Sequence, residues 1–126
     1  MRYKSTRNSQ LRLEASQVIA QGISEEGGLF VPESFPDLSG ELPALAKLDY
    51  PALAKAIFAK FLTDFTEAEI EACVSRAYTP EKFGGPCPVK LVPLSGSSEE
   101  KLLLELWHGP TCAFKDMALQ ILPHFL

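Results

Sequence analysis

Seven residues, Ser95 to Lys101, are all that separate the two strongest strand candidates of this chain, Val89–Leu94 and Leu102–Leu106. All seven are polar or small. A parallel pair needs a crossover of about a dozen residues or more, commonly a helix. The spacing therefore predicts an antiparallel hairpin at about 89–94 and 102–106. With 126 residues the chain has the length of one domain and enough surface to bury a core. Hydrophobic residues at 46% and charged residues at 22% exclude a disordered tail, a collagen-like chain and a coiled coil. The prediction is an α/β domain: a small sheet containing the hairpin, and three to four packed helices.

Upstream of the hairpin the apolar spacing is helical. Residues 14–21 read as a short helix with Ala15, Val18 and Ile19 inward and Gly22 as its stop. Gly27 and Gly28 make a turn before a short buried strand, Leu29-Phe30-Val31, closed by Pro32. Residues 32–48 hold Pro32, Pro36, Gly40 and Pro43 and read as an irregular surface connection. Asp49 is a good N-cap, with Pro51 in the first turn, for a helix whose inner face is Leu53, Ile57, Phe58, Phe61 and Leu62. Thr66 and Glu69 have capping-box spacing for a further helix burying Ile70, Cys73, Val74 and Ala77. Pro80 to Pro88 holds three prolines and two glycines and reads as a loop.

Charge and cysteine content narrow the function. Twelve Lys+Arg stand against 16 Asp+Glu, a net charge of −4, where a nucleic-acid binder normally carries a basic excess. No apolar run approaches the ~18–20 residues that span a bilayer. Cys73, Cys87 and Cys112 are odd in number and widely spaced, which suits a reducing compartment. The spacing of a structural zinc site is absent. Residues 1–13 carry Arg2, Lys4, Arg7 and Arg12 without an acid, as transit peptides do. Their apolar face is weak, however, and a cytoplasmic protein is expected. Tyr3, Ser5, Thr6 and Arg7 read either as an anion-binding cluster or as solvated terminal residues.

After the hairpin, Trp107-His108-Gly109-Pro110-Thr111 is a tight turn, and Ala113–Leu122 reads as a helix apolar on nearly all sides. Such a helix suits burial in a larger body, and the expectation is a chain cut from something longer. Lys115 falls at the start of this helix between Phe114 and Met117. A lysine is a nucleophile only when its amine is neutral. Apolar burial and the positive helix end both favour neutrality, while Asp116 opposes it. The alternative is a lysine that reaches to solvent. Gly109 permits close backbone approach to a ligand and the first-turn amides can serve an anion. The alternative there is an ordinary strand-to-helix turn capped by Thr111. No P-loop, dinucleotide fingerprint or nucleophile elbow is present.

Three blocks carry a family resemblance: Tyr3-Lys4-Ser5-Thr6-Arg7, Glu26-Gly27-Gly28-Leu29-Phe30-Val31-Pro32, and Glu105 through Asp116. In order and separation they resemble the N-terminal part of the threonine synthases. These are pyridoxal phosphate (PLP) enzymes of the tryptophan-synthase-β-like fold, also called fold-type II. The third block is the most specific. The family often has Phe where Trp107 stands and Leu where Cys112 stands.

The resemblance implies that Lys115 forms the internal aldimine with PLP. It implies a family reaction that converts O-phospho-L-homoserine and water into L-threonine and phosphate. It further implies that Phe114 and Asp116 line or support the cofactor pocket, and that His108 and Thr111 orient the turn. No metal, nucleic acid or membrane enters this chemistry. Family members are several times longer, and the Ser/Thr-Gly-rich loop that cradles the cofactor phosphate lies downstream of the lysine block. Residues 1–126 are accordingly expected to be an N-terminal domain truncated shortly after the cofactor-lysine helix. Alone it is expected to bind cofactor weakly or not at all, to be inactive, and to be open to self-association through exposed apolar surface. The alternatives are a related phospho-lyase or dehydratase of the same fold, and a non-catalytic interaction module.

Overall fold

The computed structural model describes residues 1–94 and 101–126. It opens with strand β1 (Tyr3–Ser5), helix α1 (Ala15–Gln21) and strand β2 (Phe30–Pro32). The two strands pair antiparallel, with Tyr3 opposite Pro32 and Ser5 opposite Phe30. The expected strand at 29–31 is therefore present one residue later, although Leu29 is exposed and the strand itself only half-buried. β1 was not foreseen. Its polar residues are not solvated: Tyr3 and Ser5 are buried, and the Tyr3 hydroxyl donates to the Phe61 carbonyl at 3.0 Å. A side chain at Gly28 would put its Cβ 2.0 Å from Ser5 Oγ, so this sheet closes only around a glycine.

Helix α1 starts where expected, and Ala15 and Val18 are buried. Its leading amides are satisfied from far along the chain: Ala15 and Ser16 donate to the Asp64 carboxylate at 3.2 and 2.9 Å. Burial raises the Asp64 carboxyl's pKa, but these hydrogen bonds outweigh it and hold the group below the ordinary aspartate range. Asp64→Ala is expected to cost about 1 kcal/mol, the usual worth of an N-cap. Urea unfolding of the variant checks this, and an unchanged midpoint would show that the cap contributes nothing.

Helix α2 (Leu42–Leu45) is a single turn inside the stretch expected to be irregular, held by Pro43 in its first turn and by buried Leu45. Helix α3 (Tyr50–Phe61) is capped by Asp49, whose side chain accepts from the Ala52 amide at 2.9 Å. Helix α4 (Glu67–Ala77) carries the full Thr66–Glu69 capping box and buries Ile70, Cys73, Val74 and Ala77. The start of α3 and the whole of α4 match the sequence expectation, but the inner face of α3 does not: Tyr50, Ala54 and Phe58 pack on the core with buried Leu62, while the expected Leu53, Ile57 and Phe61 lie outside that cluster. The stretch 80–88 is not all loop. Helix α5 (Pro80–Phe83), capped by Thr79, turns once and buries Phe83 in the core among α1, α3 and α4 residues.

Strands β3 (Lys90–Pro93) and β4 (Leu102–Glu105) form the antiparallel hairpin, with Leu91 opposite Leu104 and Val92 opposite Leu103. The expected single sheet is thus two separate two-stranded sheets, β1–β2 and β3–β4, among the described residues. The expected loop at 95–100 lies outside the described residues. The expected helix 113–122 is broken into two single turns, α6 (Asp116–Leu119) and α7 (Leu122–Phe125). Pro123 accounts for the break: it has no N–H to give the Leu119 carbonyl and its ring crowds that carbonyl, so it is accommodated only in the first turn of a new helix, α7. The Ile121 amide accordingly bonds three residues back, to Ala118. Only Ile121 of this stretch's apolar residues is buried, while Leu119 and Leu122 remain exposed. Among the described residues no helix is long and apolar enough to cross a membrane.

Candidate functional site

The site residues anticipated from sequence lie on one connected piece of chain, from Glu105 at the end of β4 through α6. Its organising atom pair is the Asp116 carboxylate, which has no exposed surface. Asp116 Oδ2 accepts from the Thr111 amide and the Thr111 hydroxyl, both at 2.9 Å. Gln120 Nε2 donates to the other oxygen at 3.3 Å. Desolvation raises this carboxyl's pKa, but the three donors outweigh it and keep the pKa below the ordinary aspartate range.

Gly109 is seated against the same side chain. A Cβ there would stand 2.4 Å from Asp116 Cβ and 2.6 Å from its Oδ2. The close approach that Gly109 permits is therefore used by the chain's own aspartate, and the turn amide serves an internal anion. Thr111 caps no helix; it donates to Asp116. Cys112 completes the turn with a φ of 55°, in the left-handed region that few side chains occupy. The Cys112 amide closes it by donating to the Gly109 carbonyl at 3.0 Å.

Lys115 follows at the N-cap of α6 and is exposed. Its carbonyl accepts from the Ala118 and Leu119 amides, at 3.0 and 2.8 Å. Among the described residues its Nζ has no hydrogen-bond or ion-pair partner. The apolar burial expected around it is not found, since Phe114 beside it is itself 65% exposed. The helix-end effect lapses too, because α6 is a single turn of four residues. Asp116 points inward and makes no ion pair with Lys115.

His108 sits upstream of the turn, half-buried. Its Nε2 lies 2.7 Å from Glu105 Oε2, and since a carboxylate only accepts, Nε2–H donates. Trp107 stacks on the His108 ring with centroids 4.3 Å apart. The segment is tied to the core at two points. The Tyr78 hydroxyl, whose pKa burial raises far above the usual range, donates to the Met117 carbonyl at 2.7 Å. Cys73 Sγ donates to the His124 carbonyl at 3.0 Å.

Sequence reasoning missed Glu105, Gln120 and Tyr78. Two of them had a readable signal: Glu105 and His108 are three residues apart, and Asp116 and Gln120 have the i,i+4 spacing that pairs side chains on a helical turn. Tyr78 had none, because its partner is 39 residues away. Among the described residues no group of three or more His, Cys, Asp or Glu is arranged to hold a metal.

Fold and site together define an α/β domain that presents a lysine amine from a pinned turn. Comparison with known proteins identifies the family. A family model for the threonine synthase N terminus matches residues 2–78. The threonine synthase of Corynebacterium glutamicum is 36% identical over 128 residues, covering 97% of this chain and 26% of that protein. The crystal structure of threonine synthase from yeast superposes with a TM-score of 0.87 at 33% identity, over 98% of this chain and 25% of that one. PLP-bound threonine synthase from Brucella melitensis gives a TM-score of 0.86 at 32% identity, over 98% and 26%. This chain belongs to the threonine synthase family and corresponds to its N-terminal region. It spans about a quarter of the length of these relatives.

Proposed function

We propose that this chain is the lysine-bearing N-terminal portion of a threonine synthase, with Lys115 as the residue that holds PLP. The observation that carries this reading is a solvent-facing Nζ without an ionic partner, on a turn clamped to a buried carboxylate, in a chain matched by a PLP-bound relative. The residues present suit the cofactor's aldehyde: an accessible amine on a rigid mount, beside the exposed Phe114 ring. When bound, PLP supplies an electron sink for a carbanion next to the substrate nitrogen.

The chain's own groups divide the remaining work. Lys115 would hold the cofactor through its Nζ, and the same amine would be the group that moves protons at the substrate's Cα and Cβ. Asp116 supports the pocket from beneath by fixing the 109–111 turn. Thr111 transmits that restraint, and His108, aligned by Glu105, orients the start of the turn. Phe114 would line the cofactor pocket. The overall conversion is O-phospho-L-homoserine plus water to L-threonine plus phosphate, with water adding at Cβ and phosphate leaving from Cγ. A reducing, cytoplasmic setting suits the three free cysteines. The 126-residue chain alone turns over no substrate, because the cradle for the cofactor phosphate belongs to the family's downstream part.

The test is a chimera in which this chain replaces the matching N-terminal quarter of yeast threonine synthase. With PLP and borohydride, the reduced adduct is expected on Lys115, and Lys115→Ala is expected to lose both the adduct and threonine formation. An adduct on another lysine would overturn the assignment. Threonine formation by the 126-residue chain alone would overturn its inactivity.

A further inference from the structure

We propose that Tyr78 is a positioning residue for Lys115: its hydroxyl, mounted in the helical core, fixes through the Met117 carbonyl where the lysine turn stands. This inference rests on Lys115 as the residue that holds PLP, and it gives a role to a side chain outside the site's own segment. Asp116 cannot supply that placement. Its donors, Thr111 and Gln120, and the Gly109 backbone packed against it all belong to residues 109–120. They stiffen the segment but tie it to nothing else. Met117 and Ile121 pack on the core cluster, yet apolar contact is non-directional. Helix α6 is a single turn, far below the length at which a helix holds itself. A turn so short takes its orientation from a directional tie to another element.

The break between α6 and α7 provides the acceptor. In an unbroken helix the Ile121 amide would reach the Met117 carbonyl, four residues back; here it bonds to Ala118. The Tyr78 hydroxyl takes the Met117 carbonyl instead, at 2.7 Å and from 39 residues away. Tyr78 is a rigid mount. It is the C-cap of α4, its amide donating to the Val74 carbonyl at 3.0 Å, and it is buried. Its ring meets Tyr50 edge-on at 5.1 Å between centroids and Phe83 at 6.0 Å. Burial keeps the hydroxyl protonated, so it remains a donor near neutral pH. The Met117 carbonyl lies two residues after Lys115, inside the turn that the Lys115 carbonyl closes by accepting from Ala118 and Leu119. Displacing it therefore moves the lysine backbone. The other tie from α4, Cys73 Sγ to the His124 carbonyl, lies beyond the break on α7.

Tyr78→Phe removes the hydroxyl and keeps the ring. Tyr3→Phe is the matched control, since Tyr3 is equally buried and its hydroxyl also donates to a main-chain carbonyl, that of Phe61 at 3.0 Å. Each variant loses one buried hydrogen bond, so Tm is expected to fall by a similar amount in both. In the 126-residue chain, amide exchange at Ala118 and Leu119 is expected to rise about tenfold or more in Tyr78→Phe and to stay within about twofold in Tyr3→Phe. In the yeast chimera, Tyr78→Phe is expected to lower kcat about tenfold or more with KM within about threefold, as a misplaced reacting group does. Labelling of Lys115 with PLP and borohydride is expected to slow to a similar extent. Tyr3→Phe is expected to match the parent chimera in kcat, KM and labelling.

Unchanged exchange at Ala118 and Leu119 in Tyr78→Phe overturns the positioning role without reference to the cofactor. So does a Tyr78→Phe chimera that labels on Lys115 yet equals Tyr3→Phe in kcat and labelling rate; either result leaves the assignment of Lys115 standing. A label on another lysine in the parent chimera overturns that assignment, and the role of Tyr78 falls with it.

Discussion

Phe83→Ala is expected to cost about 3–5 kcal/mol, the range for emptying a buried aromatic site. Phe83 is 1% exposed and among the largest fully buried side chains of the described residues. It lies in the same cluster as Ala15, Ile70, Val74 and Tyr78, and its ring meets the Tyr78 ring at 6.0 Å between centroids. The backbone around it cannot collapse easily, because Thr79 caps α5 at one end and Gly84 closes the other in the left-handed conformation. Natural domains have only about 5–15 kcal/mol in total, so the variant should sit near its folding threshold. Denaturant unfolding followed by tryptophan fluorescence and circular dichroism measures the loss. A change below about 1 kcal/mol would mean that the core closes over the gap, contrary to the usual spread for such sites.

Asp116→Asn is expected to leave the fold and loosen the lysine turn. The substitution keeps the side chain's shape but replaces an ionised acceptor of three hydrogen bonds. Amide exchange at Thr111 should rise about tenfold or more, since a hydrogen bond to a charged group is among the stronger ones. The effect has a definite pH dependence. The folded carboxyl lies below its unfolded value of about 4. Its contribution to stability is therefore complete above about pH 4 and disappears as the pH falls through the folded pKa. Wild type and variant should differ most at neutral pH and converge on acidification. Asp64 and the capping Glu69, whose carboxyls are also held low, are present in both proteins and cancel in the difference. A stability difference that stays constant from pH 7 to pH 2 would rule this account out.

Much of the fold was legible where local rules acted alone. Asp49 with Pro51, and Thr66 with Glu69, mark helix starts within a few residues, and their apolar spacing names the buried face of α4 correctly. The hairpin followed from the length of its connection. Where structure depends on distant partners the reading failed. β1 is a polar tripeptide that becomes a strand only because residues 30–32 and Leu13 pair with it. α5 is a single turn hidden among prolines and glycines, and its reason for existing is the burial of Phe83. The break at 120–121 is dictated by Pro123, which acts backwards on residues that otherwise look helical.

At the site, the motif located Lys115, Asp116, Thr111 and His108 together on one segment. It did not foretell that Asp116 would turn inward as the clamp, or that Gly109 would make room for it. Those roles need three-dimensional proximity, not spacing. Of the two readings of Lys115, the structure shows the lysine that reaches to solvent: nearby Phe114 and Met117 promised apolar cover, yet Phe114 faces water and Met117 turns toward the core cluster.

The remote capping of α1 bears on how the chain is made. Ala15 and Ser16 find their acceptor only at Asp64, so a nascent polypeptide emerging from the ribosome has only the local Glu14–Gln17 box at the start of its first helix and leaves those two amides to water until nearly fifty further residues have been added. Closing so large a loop is slow and entropically costly. The amino-terminal third is thus expected to consolidate late in synthesis, once the α3–α4 connection arrives to clasp it.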